Sequence, residues 1–381
     1  MAITDFKIGG YRSIRDVWLK LHPINVIVGP NGSGKSNMYR AMYLVSCAAT
    51  GRLATALAEE GGLASALWAG NWSKGDKYPH FVSLSVRTKS YEYNLVCGMA
   101  GKEVLGEFFK RDPEIKREQI FKLGEGKKSK ILSRGRGSVT ARDAHGKEVV
   151  YTARVSDNES VLAGLRDPVN FPELYAVREE ILGWRFYHHF RTDMHSPLRL
   201  PQVGVMTPYL SHDAHDLAAT LATIIEFGDA EMFFGALDEA FPGARLEILP
   251  TPAGLRIKFT QEGINRPLDG SELSDGTVQY LCLLASLLSL SAPPVIVLNE
   301  PETSLHPNLI KPLAQLIVRC SADSQIWLTT HSRELSDAIM DLSGYEPFEL
   351  HKVDGETRLV GTGLGGYRVS DEDEEDDEEE V

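Results

Sequence analysis

Gly29-Pro30-Asn31-Gly32-Ser33-Gly34-Lys35-Ser36 lies between a β-branched run, Asn25-Val26-Ile27-Val28, and a helical stretch, Asn37 to Val45. The eight residues fit G-x-x-x-x-G-K-[ST] in a strand–loop–helix setting, the context that makes the pattern a phosphate site. Glycines let successive backbone N–H groups turn toward one anion without Cβ clashes, and a helix N-terminus adds partial positive charge. The pattern casts Gly29, Asn31, Gly32, Ser33, Gly34, Lys35 and Ser36, with Asn37 just after it, as nucleotide-contacting residues. Lys35 is expected to reach the β- and γ-phosphates, and the Ser36 hydroxyl to ligate Mg²⁺.

Composition narrows the class. A chain of 381 residues holds two domains or one large α/β domain with insertions. No apolar run reaches the roughly eighteen residues of a membrane helix, and Met1 to Lys7 lacks the apolar core of a signal peptide. A cytoplasmic protein without membrane contact is the expectation. Cys47, Cys97, Cys282 and Cys320 are scattered, with no C-x-x-C pair, and read as buried thiols. The net charge of −13 misleads, because Asp371 to Glu380 is an unbroken acidic run of ten residues. Removing those ten charges leaves only −3 for the rest. Residues 370–381 are expected to be a disordered tail, which could mimic nucleic acid, contact a basic partner or, as the default, aid solubility.

Patterning along the chain predicts a strand and turn over Ile3 to Val17, a strand Trp18 to Leu21, and a helix from Ser36 to about Leu57. Phe81 to Arg87 and Tyr91 to Val96 alternate with period two and read as an antiparallel pair. Glu103 to Val155 reads as polar, basic and short-stranded. It carries Lys116, Arg117, Lys122, Lys127, Lys128, Lys130, Arg134 and Arg136, the last five near hairpin tips, without clear aromatic stacking partners. Further on come a helix at Pro172 to Trp184, a strand at Trp184 to Phe190, and helices over Asp213 to Phe227 and Asp229 to Phe241. Two strands, Arg245 to Leu249 and Leu255 to Thr260, precede an apolar helix, Thr277 to Leu290.

Four motifs in the C-terminal third discriminate among proteins with such a loop. Leu273-Ser274-Asp275-Gly276-Thr277 opens the apolar helix, where Ser274 and Gly276 offer an outward anion site. Val295-Ile296-Val297-Leu298-Asn299-Glu300 is a buried strand ending in polar residues, with Glu300 suited to orient and deprotonate a water. Thr303-Ser304-Leu305-His306-Pro307 follows. Trp327-Leu328-Thr329-Thr330-His331 is a strand ending in a histidine placed to contact a γ-phosphate.

In order and spacing these motifs resemble the ABC-type ATPase heads of the RecF/SMC/OLD group. The run Asn299-Glu300-Pro301-Glu302-Thr303-Ser304-Leu305-His306-Pro307 and the opening Gly10-Tyr11-Arg12-Ser13-Ile14-Arg15 resemble its bacterial "predicted ATPase, AAA family" branch. The likeness covers roughly residues 1–100 and 205–365. It implies an α/β P-loop NTPase head over 1–369, with a mixed central sheet and an antiparallel β-subdomain. The core would be 1–100 and 205–369, with a basic and helical insertion at 101–204. It also implies a homodimer that sandwiches two ATP, in which Ser274 and Gly276 of one protomer cap the γ-phosphate held by Lys35 of the other. Catalysis would rest on Glu300, His331 and Lys35, Mg²⁺ on Ser36 and Asn299, and Arg12 and Ser13 would lie near the nucleotide.

Three departures stand out. Asn299 replaces the usual Asp and brings no negative charge to a metal. Gln202 is a weak candidate for the Q-loop glutamine, and the insertion is too short for coiled-coil arms. Two functions stay open: an ATPase acting on DNA through the Lys116–Arg136 insertion, in repair or phage defence, and a slow nucleotide switch that governs a separate effector protein. A transporter subunit fits poorly without a membrane-coupling element. A GTPase would need an Asn-Lys-x-Asp motif, which is absent from the sequence.

Overall fold

The computed structural model describes residues 2–72, 80–100, 112–124, 126–135, 138–150 and 155–360. In chain order the elements begin with β1 (Ile3–Tyr11), β2 (Ile14–Lys20), β3 (Ile24–Val28), α1 (Lys35–Thr50), α2 (Leu53–Glu59) and α3 (Leu63–Ala66). Next come β4 (Phe81–Thr88), β5 (Tyr91–Met99), β6 (Pro113–Gly124), β7 (Lys127–Gly135), β8 (Ser138–Arg142) and β9 (Glu148–Val150). The middle holds α4 (Val161–Gly164), α5 (Pro172–Leu182), β10 (Arg185–Tyr187), α6 (Leu217–Phe227), α7 (Ala230–Ala240), β11 (Arg245–Thr251), β12 (Gly254–Thr260) and β13 (Leu268–Asp269). The chain continues through α8 (Asp275–Leu287), β14 (Val295–Asn299), α9 (Ile310–Cys320), β15 (Gln325–Thr329), α10 (Arg333–Ser343), β16 (Phe348–Val353) and β17 (Glu356–Leu359).

Two compact units share these elements. The first takes Met1–His22, Gly29–Gly183 and Phe348–Val381; the second takes Pro23–Val28 and Trp184–Pro347. In the first, an antiparallel sheet runs β2-β1-β4-β5-β6-β7-β8-β9. Its buried face alternates as period-two patterning requires: Tyr91, Tyr93, Leu95 and Cys97 of β5 point inward between half-exposed neighbours. Helix α1 packs against α4 and α5, burying Met38, Met42 and Val45. The β16–β17 hairpin lies beside β2.

In the second unit, β10, β14, β15 and β3 run parallel in that order. Parallel strands covered on both faces read as continuous apolar runs, and Val295 to Leu298 and Gln325 to Thr329 are buried at every position. Helix α8 is central to this core, with every residue from Val278 to Leu287 buried. A small antiparallel sheet, β11-β12-β13, completes the unit.

Several sequence expectations shift. The first turn falls at Arg12-Ser13, so β2 starts at Ile14 rather than Trp18. The long first helix breaks at Gly51, whose φ of 77° suits a left-handed C-cap and starts α2 afresh. The strand expected at Trp184 to Phe190 shrinks to Arg185–Tyr187. The basic insertion is not short-stranded: β6 has 12 residues and β7 has 9. Nor does it lack an aromatic, because Lys128 Nζ sits 4.3 Å and Lys130 Nζ 5.9 Å from the Phe121 ring centre. Arg136 and the acidic tail lie outside the described residues.

Arg134 does sit near a hairpin tip, where Gly135 pairs with Ser138, but it is not the exposed phosphate contact expected: its side chain is only 6% exposed, 3.9 Å from the fully buried Glu118 carboxylate. It also donates to the carbonyls of Ser156 (2.8 Å) and Glu159. Burial pushes the Glu118 carboxyl up, while Ser160, the Val161 N–H, Arg134 and Tyr93 pull it down. Removing one partner of such a pair strands a charge in a low-dielectric interior. Arg134→Ala should therefore destabilise the chain by about 3–5 kcal/mol in urea unfolding. Lys130→Ala, at an exposed position of the same strand, should change it by less than about 0.5 kcal/mol.

Candidate functional site

The chain leaves β3 at Val28 and enters the Gly29–Gly34 loop directly. Gly29, Gly32 and Gly34 take φ of 152°, 79° and 113°, values that disfavour a side chain. Space decides two of them as well. A Cβ on Gly34 would come 2.2 Å from Thr357 Oγ1, and one on Gly29 would come 2.5 Å from the Leu350 carbonyl oxygen. At Gly32 a Cβ would meet nothing within 4 Å, so that stretch of backbone is open. Lys35 Nζ donates to the carbonyls of Gly29 (2.6 Å) and Pro30 (3.1 Å), across the loop's mouth. Ser33 Oγ is buried with no hydrogen-bond partner among the described residues. Helix α1 starts on Gly34 without a side-chain cap, whereas α8 and α10 are capped by Ser274 and Ser332. Uncapped N–H groups, open backbone and an orphaned hydroxyl fit an anionic phosphate.

A brace holds this loop. Thr357 Oγ1 donates to the Ser33 carbonyl at 2.7 Å and lies 2.7 Å from Ser13 Oγ. Asn37 Nδ2 donates to Ser13 Oγ at 2.8 Å, and the Thr357 N–H donates to the Ser13 carbonyl at 2.7 Å. Ser13 and Asn37 thus meet directly, and Thr357, a threonine some 320 residues beyond Asn37 that no motif marks, braces Ser13 and the loop. Arg12 adopts φ 51° and donates from Nη2 (2.8 Å) and Nε (3.1 Å) to Glu60, whose carboxylate is 3% exposed. Tyr11 and Arg40 converge on the same carboxylate, at 2.7 and 3.5 Å.

In the second unit, the strand ends bring the predicted hydrolytic pair together. Glu300 Oε1 lies 2.7 Å from His331 Nε2. Glu300 follows β14 with φ 48°, a left-handed conformation uncommon for a carboxylate residue and concentrated at functional sites. Its N–H is held by the Thr329 carbonyl at 2.9 Å. Asn299 is held at both ends: Oδ1 accepts from Thr329 Oγ1 (3.0 Å), and Nδ2 donates to the His188 carbonyl (3.3 Å). An aspartate here could not make the second contact.

Glu302 was missed as a residue with a role. Its Oε1 accepts from Thr330 Oγ1 (2.6 Å), His331 N–H (2.9 Å) and Ser332 N–H (3.2 Å). This carboxylate therefore fixes the turn that carries His331. The signal was present in Glu-Pro-Glu, since a second carboxylate two residues on can reach the neighbouring parallel strand's exit.

Ser274 is exposed and caps α8, its Oγ accepting from the Thr277 N–H at 3.1 Å. Gly276 is required beside it, because a Cβ there would lie 2.8 Å from the Ser304 carbonyl oxygen. The segment is positioned by Arg199, 7% exposed, which donates to the carbonyls of Thr192, Gly270 and Leu273 and to Asp275 Oδ1. Gln202 is structural rather than a Q-loop residue. It is buried, with Oε1 accepting from the Ala218 N–H (2.7 Å) and Nε2 donating to the Leu198 carbonyl (3.3 Å).

Residues 24–337 match one protein family, described as "AAA domain, putative AbiEii toxin, Type IV TA system". The match runs from β3 through the loop, Ser274, Glu300 and His331. The chain belongs to the AAA_21 family. No curated protein matches it. Among solved structures, the head of an SMC protein bound to the C-winged helix domain of ScpA is similar at 16% identity. That pairing covers 94% of this chain and 98% of the other, with a TM-score of 0.52. An SMC head with an extended coiled coil, bound to the C-terminal domain of ScpA from Pyrococcus furiosus, gives 16% identity, 94% and 96% coverage, and a TM-score of 0.50. The AAA_21 chain therefore has the fold of SMC ATPase heads, the ABC-type P-loop class.

Within this AAA_21 chain, Glu302 gives a direct structural test. Deleting its carboxylate leaves the buried Thr330 hydroxyl and the His331 N–H without their acceptor, while the Ser332 N–H keeps Thr330 Oγ1 at 2.9 Å. Glu302→Ala should cost about 1–3 kcal/mol in thermal or urea unfolding. Glu302→Gln keeps an acceptor oxygen and should cost less than half as much.

Proposed function

We propose that this chain binds Mg-ATP on Gly29–Ser36 and hydrolyses it. The observation that carries the reading is the 2.7 Å contact between Glu300 and His331 at the exits of adjacent parallel strands, in a chain whose glycine loop fits a phosphate. Lys35 would neutralise β- and γ-phosphate charge, and loop N–H groups would hold the phosphate oxygens. Ser36 and Asn299 would hold Mg²⁺, which when bound supplies charge neutralisation to the phosphates. Glu300 acts as general base toward a water, and His331 orients Glu300 and faces the γ-phosphate.

The exposed Ser274, which caps nothing but its own helix, with half-buried Gly276 beside it, supports a head-to-tail homodimer. In that arrangement each protomer's Ser274 segment completes the other's nucleotide site. ATP joins the protomers, and hydrolysis releases them. We read residues 1–369 as one ATPase head.

Between the two outputs, the structure favours a slow switch acting on an effector protein. Direct DNA binding through the insertion loses Arg134 to the interior. Lys116, Lys122 and Lys128 pair with Glu114, Glu173 and Glu92 at 2.5, 2.5 and 3.0 Å. Asn299, committed to His188 and Thr329, brings no charge to the metal and suits slow turnover.

Light scattering with Mg-ATP tests the reading. Glu300→Gln should give a dimer, Lys35→Ala should lose nucleotide binding, and Ser274→Arg should bind nucleotide yet stay monomeric. A strict monomer for Glu300→Gln at saturating ATP excludes the sandwich. Dimerisation by Ser274→Arg would show that the site is not shared.

A further inference from the structure

Away from the strand exits, the second unit has a groove of about 470 Å³ between α6 and β11. Ala222 and Ile225 of α6 and Leu255 of β12 line one side, and Leu246 to Pro250, five consecutive residues of β11, line the other. Side chains of a strand alternate between its faces, so consecutive residues can line one groove only where the strand presents its backbone edge. Among the described residues β11 is an edge strand, paired with β12 alone. Beyond that ladder, the backbone of Leu246–Pro250 makes no hydrogen bond among the described residues.

An open edge of this kind is ordinarily blunted by charge, a bulge or a covering segment. Here exposed Arg245 and Glu247 put charge on the strand and Pro250, which has no N–H to offer, blunts its far end, while Ile248 and Leu249 between them are apolar. Bordering surface is apolar. Leu249 is 40% exposed, and the segment crossing Leu255 at Gln202 and Gly204 exposes Val203, Val205 and Met206 by 59–79%. The polar residues among the lining are both acidic: exposed Glu226 on α6 and exposed Glu247 on β11.

We propose that this groove receives an extended segment of a partner protein, apolar and flanked by lysine or arginine, which adds a strand to β11. Main-chain pairing to the open edge would supply affinity, side chains would enter against Ala222, Ile225 and Leu255, and the basic flanks would meet Glu226 and Glu247. Five residues span about 17 Å, the length of an ordinary strand. A helix would leave the edge N–H and C=O groups unpaired. A second copy using the same face would set the acidic residues of one protomer against those of the other, which like-charge repulsion disfavours. None of the lining residues belongs to a nucleotide motif, and the proposal stands whether or not ATP is hydrolysed.

The probe is a fluorescein-labelled peptide, Lys-Val-Thr-Val-Thr-Val-Thr-Val-Lys, titrated into the full chain and followed by anisotropy. The expected result is saturable binding below about 1 mM. It should weaken at least about tenfold when the peptide's central amides are N-methylated, because side chains are kept and main-chain donors are lost. The double variant Glu226→Lys/Glu247→Lys, altered only at exposed positions, should melt like the parent and weaken binding at least about tenfold. Hydrogen exchange should slow at residues 245–251 on peptide addition. No saturable binding, equal binding by the N-methylated peptide, or indifference to the charge reversals each overturns the proposal. Concentration-dependent self-association abolished by Leu249→Lys would assign the groove to a second copy and overturn it too.

Discussion

The parallel register of β14, β15 and β3 is the constraint on which the rest of the site depends. Asn299 stands opposite Thr329, and Thr329 opposite Ile27, so the three strands end level with one another. Two further backbone bonds extend the alignment past the strands, Glu300 N–H to the Thr329 carbonyl at 2.9 Å and Thr330 N–H to the Ile27 carbonyl at 3.0 Å. A slip of one residue would reverse every side chain between faces and carry Glu300 away from His331. The apolar interior forbids the slip, because Val295–Leu298 and Gln325–Thr329 are buried on both faces. Ligands of open α/β sheets gather outside the carboxyl ends of their strands. From that end of β3 the chain passes into the glycine loop.

Side chains that never need to touch a ligand reinforce this geometry. Glu302 ties the β14 exit to the turn after β15, Arg199 joins the Thr192 and Asp193 carbonyls to those of Gly270 and Leu273 and to Asp275 beside Ser274, and Thr357 braces Ser13 and the glycine loop. In each case a polar group works in a buried or half-buried place, where an unmatched partner costs more than the bond contributes. Asn299 follows the same logic. Its amide bridges Thr329 and the His188 carbonyl, a structural task that aspartate could not share.

Local patterns made much of this readable from the chain alone. The Gly29–Ser36 loop, the buried strand before Glu300 and the strand before His331 announce themselves because the phosphate chemistry and the double-sided burial each leave a contiguous signature. Arg134 was placed correctly near a hairpin tip but misread as exposed, because only the pairing of β7 with β6 shows that it faces Glu118. Gln202 was misread for a similar reason, since its partner, the Ala218 N–H, lies at the entrance to α6. Thr357 and Arg199 were invisible because their partners are distant in sequence and fixed by tertiary contacts. The break at Gly51 could have been seen, as a glycine followed by Arg52 and a fresh apolar run is a common C-cap signal.

The central claim is that the Glu300–His331 pair performs hydrolysis on nucleotide held by the glycine loop. Phosphate release under single-turnover conditions, with Mg-ATP affinity measured on the same samples, tests it most directly. Glu300→Gln should slow release by at least about 100-fold while leaving the Kd for Mg-ATP within about threefold of the parent. Release at the parental rate, or loss of rate matched by an equal loss of affinity, would contradict the account.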